Sequence, residues 1–120
     1  MGKFTDIAKN NMVNHEASSC TYMSLHSADP GSTGANELSG GSYSRQSCSW
    51  NSASGGQAQL SADVTFDVPG GSTVAYVGYW DAASGGNFRG SDQVAQETFS
   101  ADGQYVVDSS NTYLAINDPA

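Results

Sequence analysis

Positive charge is scarce in this chain. Lys3, Lys9, Arg45 and Arg89 are its only lysines and arginines in 120 residues, against twelve Asp and Glu, and the formal net charge is −8. Binding to nucleic acid draws most of its strength from basic side chains that displace counterions from phosphates. Four scattered cations build no such patch, so no direct nucleic-acid partner is expected. Cysteine is equally sparse. Cys20 and Cys48 stand alone with no Cys-x-x-Cys, which matches no zinc pattern. Two buried free thiols are expected of a reducing compartment, while a bond between them would need adjacent strands that spacing cannot establish. No run of about 18 apolar residues occurs, so no membrane-spanning helix and no membrane partner is expected. The opening GKFTDIAKNN carries no apolar signal segment, from which a chain made and kept in a cytoplasm, or released from one by lysis, is expected.

What the chain does contain is turn chemistry and short apolar runs. Fourteen glycines and abundant Ser and Asn separate segments whose apolar residues alternate, the pattern of strands joined by tight turns. In VTFDV, Val64, Phe66 and Val68 share one face and Thr65 and Asp67 the other. In TYMSLHS (21–27), Met23 and Leu25 share a face. TVAYVGYWDA (73–82) is apolar on both faces, with Val74, Tyr76 and Trp80 on one side and Ala75, Val77 and Tyr79 on the other. Such a strand is central and covered on both sides, by a second layer and by a helix or partner, and Gly78 admits a close neighbour. Further strands are expected at 43–51, 58–69, in NFRGSD, and at 96–100, 103–108 and 112–117. Pro69 and Gly70 or Gly71 form a turn. Ahead of the strands, Phe4, Ile7, Ala8 and Met12 recur near the helical period and predict a helix over 3–13, ended by Asn10, Asn11 and Asn14. The expected architecture is an all-β, antiparallel β-sandwich, jelly-roll-like, with a short N-terminal helix. One domain covers 1–120, as a helical arm over 1–16 and a sandwich over 20–120.

Tests for chemistry are negative on sequence. There is no G-x-S-x-G elbow, and His15 and His26, the only histidines, lie in no recognisable catalytic setting. His15, Glu16, His26 and Asp29 match no metal spacing. Asp29, Asn36 and Glu37 offer oxygen ligands without the alternation of an EF-hand. GSTGANE lacks the Lys-Ser/Thr of a phosphate loop. No pair of carboxylates stands out for glycosidic chemistry. No enzyme activity, no cofactor and no metal are expected. Leftover aromatics and arginine beside them anchor interfaces, which singles out Tyr79 and Trp80 in YVGYWD and Phe88 and Arg89 in NFRG. Phe4, Ile7 and Met12 of the helix join them as candidate protein-interface residues.

SLHSADPGSTGANELSGGSYSRQ (24–46), VTFDVPGGSTVAYVGYWDAASGGNFRGSD (64–92) and ETFSADGQYVV (97–107) resemble segments of small structural proteins of tailed bacteriophages. The resemblance spans most of the chain, departing at Ser27, Leu38 and Ser44, where the family has threonine, valine and alanine. It implies a virion structural protein with no catalytic residues to carry over. It also implies that the 28–42 loop is a structural excursion, turned by Asp29-Pro30-Gly31, with Asn36 and Glu37 capping backbone groups. The expected station is the outer surface of the head, as a capsid decoration protein bound to the major capsid protein and to itself as a dimer or trimer. The alternative is a minor tail or tail-fibre protein, in which YWDAASGGN would meet a host glycan.

Overall fold

The computed structural model describes residues 3–116. Met1, Gly2 and the end of the expected strand at Asn117 lie outside them. The fold is mostly antiparallel β with one N-terminal helix, as expected. A four-stranded sheet has the order β2-β1-β5-β6, built from β1 (Tyr22–His26), β2 (Gln46–Ser47), β5 (Thr73–Trp80) and β6 (Phe88–Thr98). Two further pairs join β3 (Gln57–Gln59) to β8 (Tyr113–Ala115), and β4 (Val64–Val68) to β7 (Gly103–Val107). All pairings are antiparallel. They also nest: β5 with β6, β4 with β7, β3 with β8. The chain from 57 to 115 is thus one long hairpin folded over itself, which is how a jelly roll is wound.

The core lies between the large sheet and the β4–β7 pair. Met23 and Leu25 of β1 and Val77 and Tyr79 of β5 meet Val64, Phe66 and Val68 of β4 and Val107 of β7. β5 is interior, as its two apolar faces require. One of its expected faces is wrong, however. Val74 joins Val77 and Tyr79 in the core, because pairing with β6 shifts register between Val74 and Tyr76. A bulge of this kind turns following side chains to the other face.

Three other boundaries differ from expectation. The 58–69 segment breaks around Ser61–Asp63 into β3 and β4, which belong to different sheets. NFRGSD and QETFS are instead one strand, β6, whose two register shifts hide its alternation. The 43–51 segment keeps only β2. The turn after β4 is as expected, with Gly71 at φ +88° and the Gly70 amide donating to Asp102 Oδ1 at 2.8 Å.

The helix, α1 (Asp6–Ala17), starts later and runs further than its apolar spacing predicts. Thr5 is its N-cap, with Oγ1 accepting from the Ala8 amide at 3.2 Å, so Phe4 lies outside it. The asparagines do not stop it. Asn10 and Asn14 stand one turn apart; Asn10 Oδ1 accepts from the Gly56 amide at 2.8 Å and Asn14 Oδ1 from the Ala53 amide at 2.7 Å. Val13, on the same face, is the buried residue of the helix. The helix therefore docks on its own sandwich through the face of Asn10, Val13 and Asn14. The expected stripe of Phe4, Ile7, Ala8 and Met12 is not the docking face.

Candidate interaction surfaces

The 28–42 loop covers the outer face of the large sheet at His26 and Trp80. Asp29 Oδ1 accepts from the Gly31 amide at 2.8 Å, and Asn36, at φ +65°, donates its Nδ2 to Asp29 O at 3.0 Å. The returning chain zips onto β1, with the Ser27 amide donating to Asn36 O and the Leu38 amide to Leu25 O. Asp29, Gly31 and Asn36 thus act as the sequence implies. Glu37 does not: it caps no backbone group.

Under the loop lies a sealed polar chain. Trp80 Nε1 donates to Ser24 Oγ at 2.8 Å, Ser24 Oγ lies 2.6 Å from His26 Nε2, and His26 Nδ1 lies 2.7 Å from Ala35 O. Since a carbonyl only accepts, Nδ1 carries the proton and Nε2 accepts from Ser24. Ser24 and His26 are both 0% exposed, so this histidine is a core residue, not a surface or half-buried one. Burial lowers its pKa and keeps it neutral. A serine next to a histidine suggests a nucleophile and its base. Here the imidazole is oriented by a peptide carbonyl and no solvent reaches the hydroxyl, so the pair acts as a strut. Gly78 makes room for it: a Cβ there would lie 2.5 Å from His26 Nε2 and 2.6 Å from Ser24 Oγ.

Glu37 is the anchor of a clamp. Its carboxylate receives Arg45 Nε at 3.1 Å and Nη2 at 3.0 Å, and the Tyr43 hydroxyl at 2.9 Å. Arg45 Nη1 donates to Ala82 O and Gly85 O, tying the 81–87 turn to the loop. Tyr43 Oη also accepts from the Leu25 amide at 3.0 Å. Nothing in the sequence marked Arg45 as a link from Glu37 to the 81–87 turn, whose Ala82 and Gly85 carbonyls are distant along the chain.

The residues singled out for an interface separate into two groups. Tyr79 and Trp80 are 3% and 7% exposed and pack inside the fold. Phe88 is half-buried against Trp80, with ring centroids 5.1 Å apart. The turn that was to meet a glycan is satisfied internally: Asp81 accepts from the Asn87 amide at 2.7 Å and from its Nδ2 at 2.9 Å. Phe4 and Ile7 remain outside, at 59% and 76% exposed. Arg89 forms a fork with Glu16, at 2.5 Å and 2.6 Å, whose hydrogen bonds hold the Glu16 carboxyl below its ordinary pKa.

Met12 and Arg89 belong to a feature that sequence spacing did not reveal. A cleft of about 630 Å³ opens between α1, β6 and β8, within the usual size range of ligand sites. Met12, Val13, Leu114 and Ile116 supply its apolar lining, and Glu16, Arg89 and Asp92 its charge. Tyr79 also lines it, and the buried Tyr79 hydroxyl has no hydrogen-bond partner among the described residues. Cys20 and Cys48 are free thiols, and burial pushes both up to about 12. Among the described residues, no three His, Cys, Asp or Glu side chains come together to hold a metal ion.

The fold is thus a small antiparallel sandwich, clamped by internal polar bonds and carrying a lateral cleft. The chain belongs to the phage family described as Podophage GP4 fiber I protein gp80, whose model matches residues 3–114. It is a structural protein of a bacteriophage virion. No curated protein matches the chain.

Proposed function

We propose that the chain is a non-enzymatic subunit of a tail fibre, working where the particle meets its host. The observation that carries this reading is the match of nearly the whole chain to a fibre family. It supports the tail alternative over decoration of the outer capsid surface. The architecture suits the role. A clamped outer face and a nested sheet resist shear, and an acidic surface keeps subunits apart until specific contacts form.

The test is quantitative mass spectrometry of purified particles separated into heads and tails. A few copies per particle, travelling with tails, are expected. Hundreds of copies remaining with heads would overturn the proposal in favour of a decoration protein bound to the major capsid protein.

A further inference from the structure

We propose that the cleft between α1, β6 and β8 receives the N-terminal segment, residues 3–7, of a second copy of the chain. Both strand walls of the cleft are open edges. β6 is the last strand of its sheet, and β8 is paired on one side only, to β3. An open edge presents unpaired amides and carbonyls, the template on which an extended peptide adds a strand. The stretch Arg89–Asp92 along one wall measures about 13 Å at the rise of a strand, enough for Lys3, Phe4 and Thr5 in extended form, with Ile7 following in the first turn of α1. Met12, Val13, Leu114 and Ile116 give the cleft an apolar floor for an entering side chain.

The second copy is favoured as occupant by two observations. Among the described residues, Phe4 and Ile7 are two of the four large apolar residues left exposed, the others being Val106 and Tyr113. Phe4 precedes the N-cap and Ile7 lies in the first turn of α1, and neither lines the cleft of its own chain. The backbone at Thr5 is already extended, at φ −69° and ψ 164°. Charge points the same way. Lys3 is the cation of the 3–7 segment, whose Asp6 pairs with Lys9 of its own helix, while the cleft carries Glu16 and the exposed Asp92. With Glu16 engaged by Arg89, Asp92 is the carboxylate that Lys3 would meet as Phe4 enters the apolar lining.

Donor and acceptor are different surfaces, so the contact is head-to-tail and yields a closed ring or an open filament. The tail-fibre reading supplies only the setting: self-association is measured on purified chain and station on particles, so either can fail alone. The experiment combines sedimentation velocity up to 1 mM with carbodiimide cross-linking of mixed ¹⁴N- and ¹⁵N-labelled chains. Concentration-dependent association and mixed-isotope Lys3–Asp92 cross-links are expected. Phe4→Asp with Ile7→Asp should weaken association at least tenfold with an unchanged melting temperature, because both residues are exposed in the single chain. Asp92→Lys should weaken it too. A chain that stays monomeric, equal association of the doubly substituted chain, or cross-links that never join two isotopes would each overturn the proposal.

Discussion

Arg45 lies flat over Trp80, its guanidinium carbon 3.6 Å from the ring centroid, while the edge of the same group grips Glu37 through two nitrogens. One side chain thus joins the central strand, the 28–42 loop and the 81–87 turn. The Arg45 side chain is 10% exposed and that of Glu37 22%, so the pair is shielded from solvent screening far better than a surface bridge. Arg45→Ala should cost about 2–4 kcal/mol, because it leaves a partly buried carboxylate unmatched. Arg45→Lys should recover less than half, since an ammonium offers neither the fork nor the stacking plane. Urea unfolding of the two variants checks both statements.

Acidification should weaken the fold through His26. Its pKa is lowered by burial from 6.5, so below that value the unfolded chain takes up a proton that the native state refuses. Stability is then lost as pH falls from 6.5 toward the folded pKa, by at most about 1.4 kcal/mol per pH unit. Above 6.5 the residue contributes no slope. Carboxylates lowered by their hydrogen bonds, such as Glu16, Asp81 and Asp108, act only near and below their ordinary values of 4.5 and 3.8. Denaturant midpoints between pH 7 and 5 therefore isolate the histidine. His26→Gln should be less stable at pH 7 and flatter across this window.

The two helix asparagines should differ when each is replaced by alanine. Either change gains about 0.5 kcal/mol of helix propensity. Asn10→Ala strips the acceptor from the Gly56 amide at a buried residue, a loss of about 1–3 kcal/mol that wins. Asn14→Ala frees an amide in an exposed bond, where water replaces the partner, and should be near neutral. Thermal melts give the difference, and hydrogen exchange at Gly56 localises it.

Both thiols should be slow toward disulfide reagents in the native state. With pKa values pushed up to about 12, almost no thiolate exists at pH 8. Labelling rates should rise by orders of magnitude in denaturant. Rapid native labelling of Cys20 would show that the helix lifts from the sheet.

The strands that could be read from sequence are those whose neighbours agree with local alternation. Val64, Phe66 and Val68 are buried and Thr65 and Asp67 exposed because β4 pairs with β7 without a shift. Reading failed where a distant partner overrode the local signal. Asn10 and Asn14 look like a helix stop by propensity, yet the 53–56 turn satisfies them from some forty residues away. β6 bulges twice, so its eleven residues scan as two fragments. Tyr79 and Trp80 resembled an exposed anchor because composition cannot show that the 28–42 loop folds over one and β4 over the other's side of the sheet. The cleft has no local signature, since helix, β6 and β8 meet only in three dimensions. One trace was present: an apolar pair, Phe4 and Ile7, beside lysine in an otherwise acidic chain.

The nested pairing also sets an order of events. The helix is the first element made, but it rests on β3 and β8, and β3 finds its only strand partner in β8, near the end of the chain. Contacts so distant in sequence form late, after the loops between them have closed. The seat of the helix is therefore completed only once β8 has paired with β3. Closure of the β3–β8 pair thus acts as a timer for the docking of the helix.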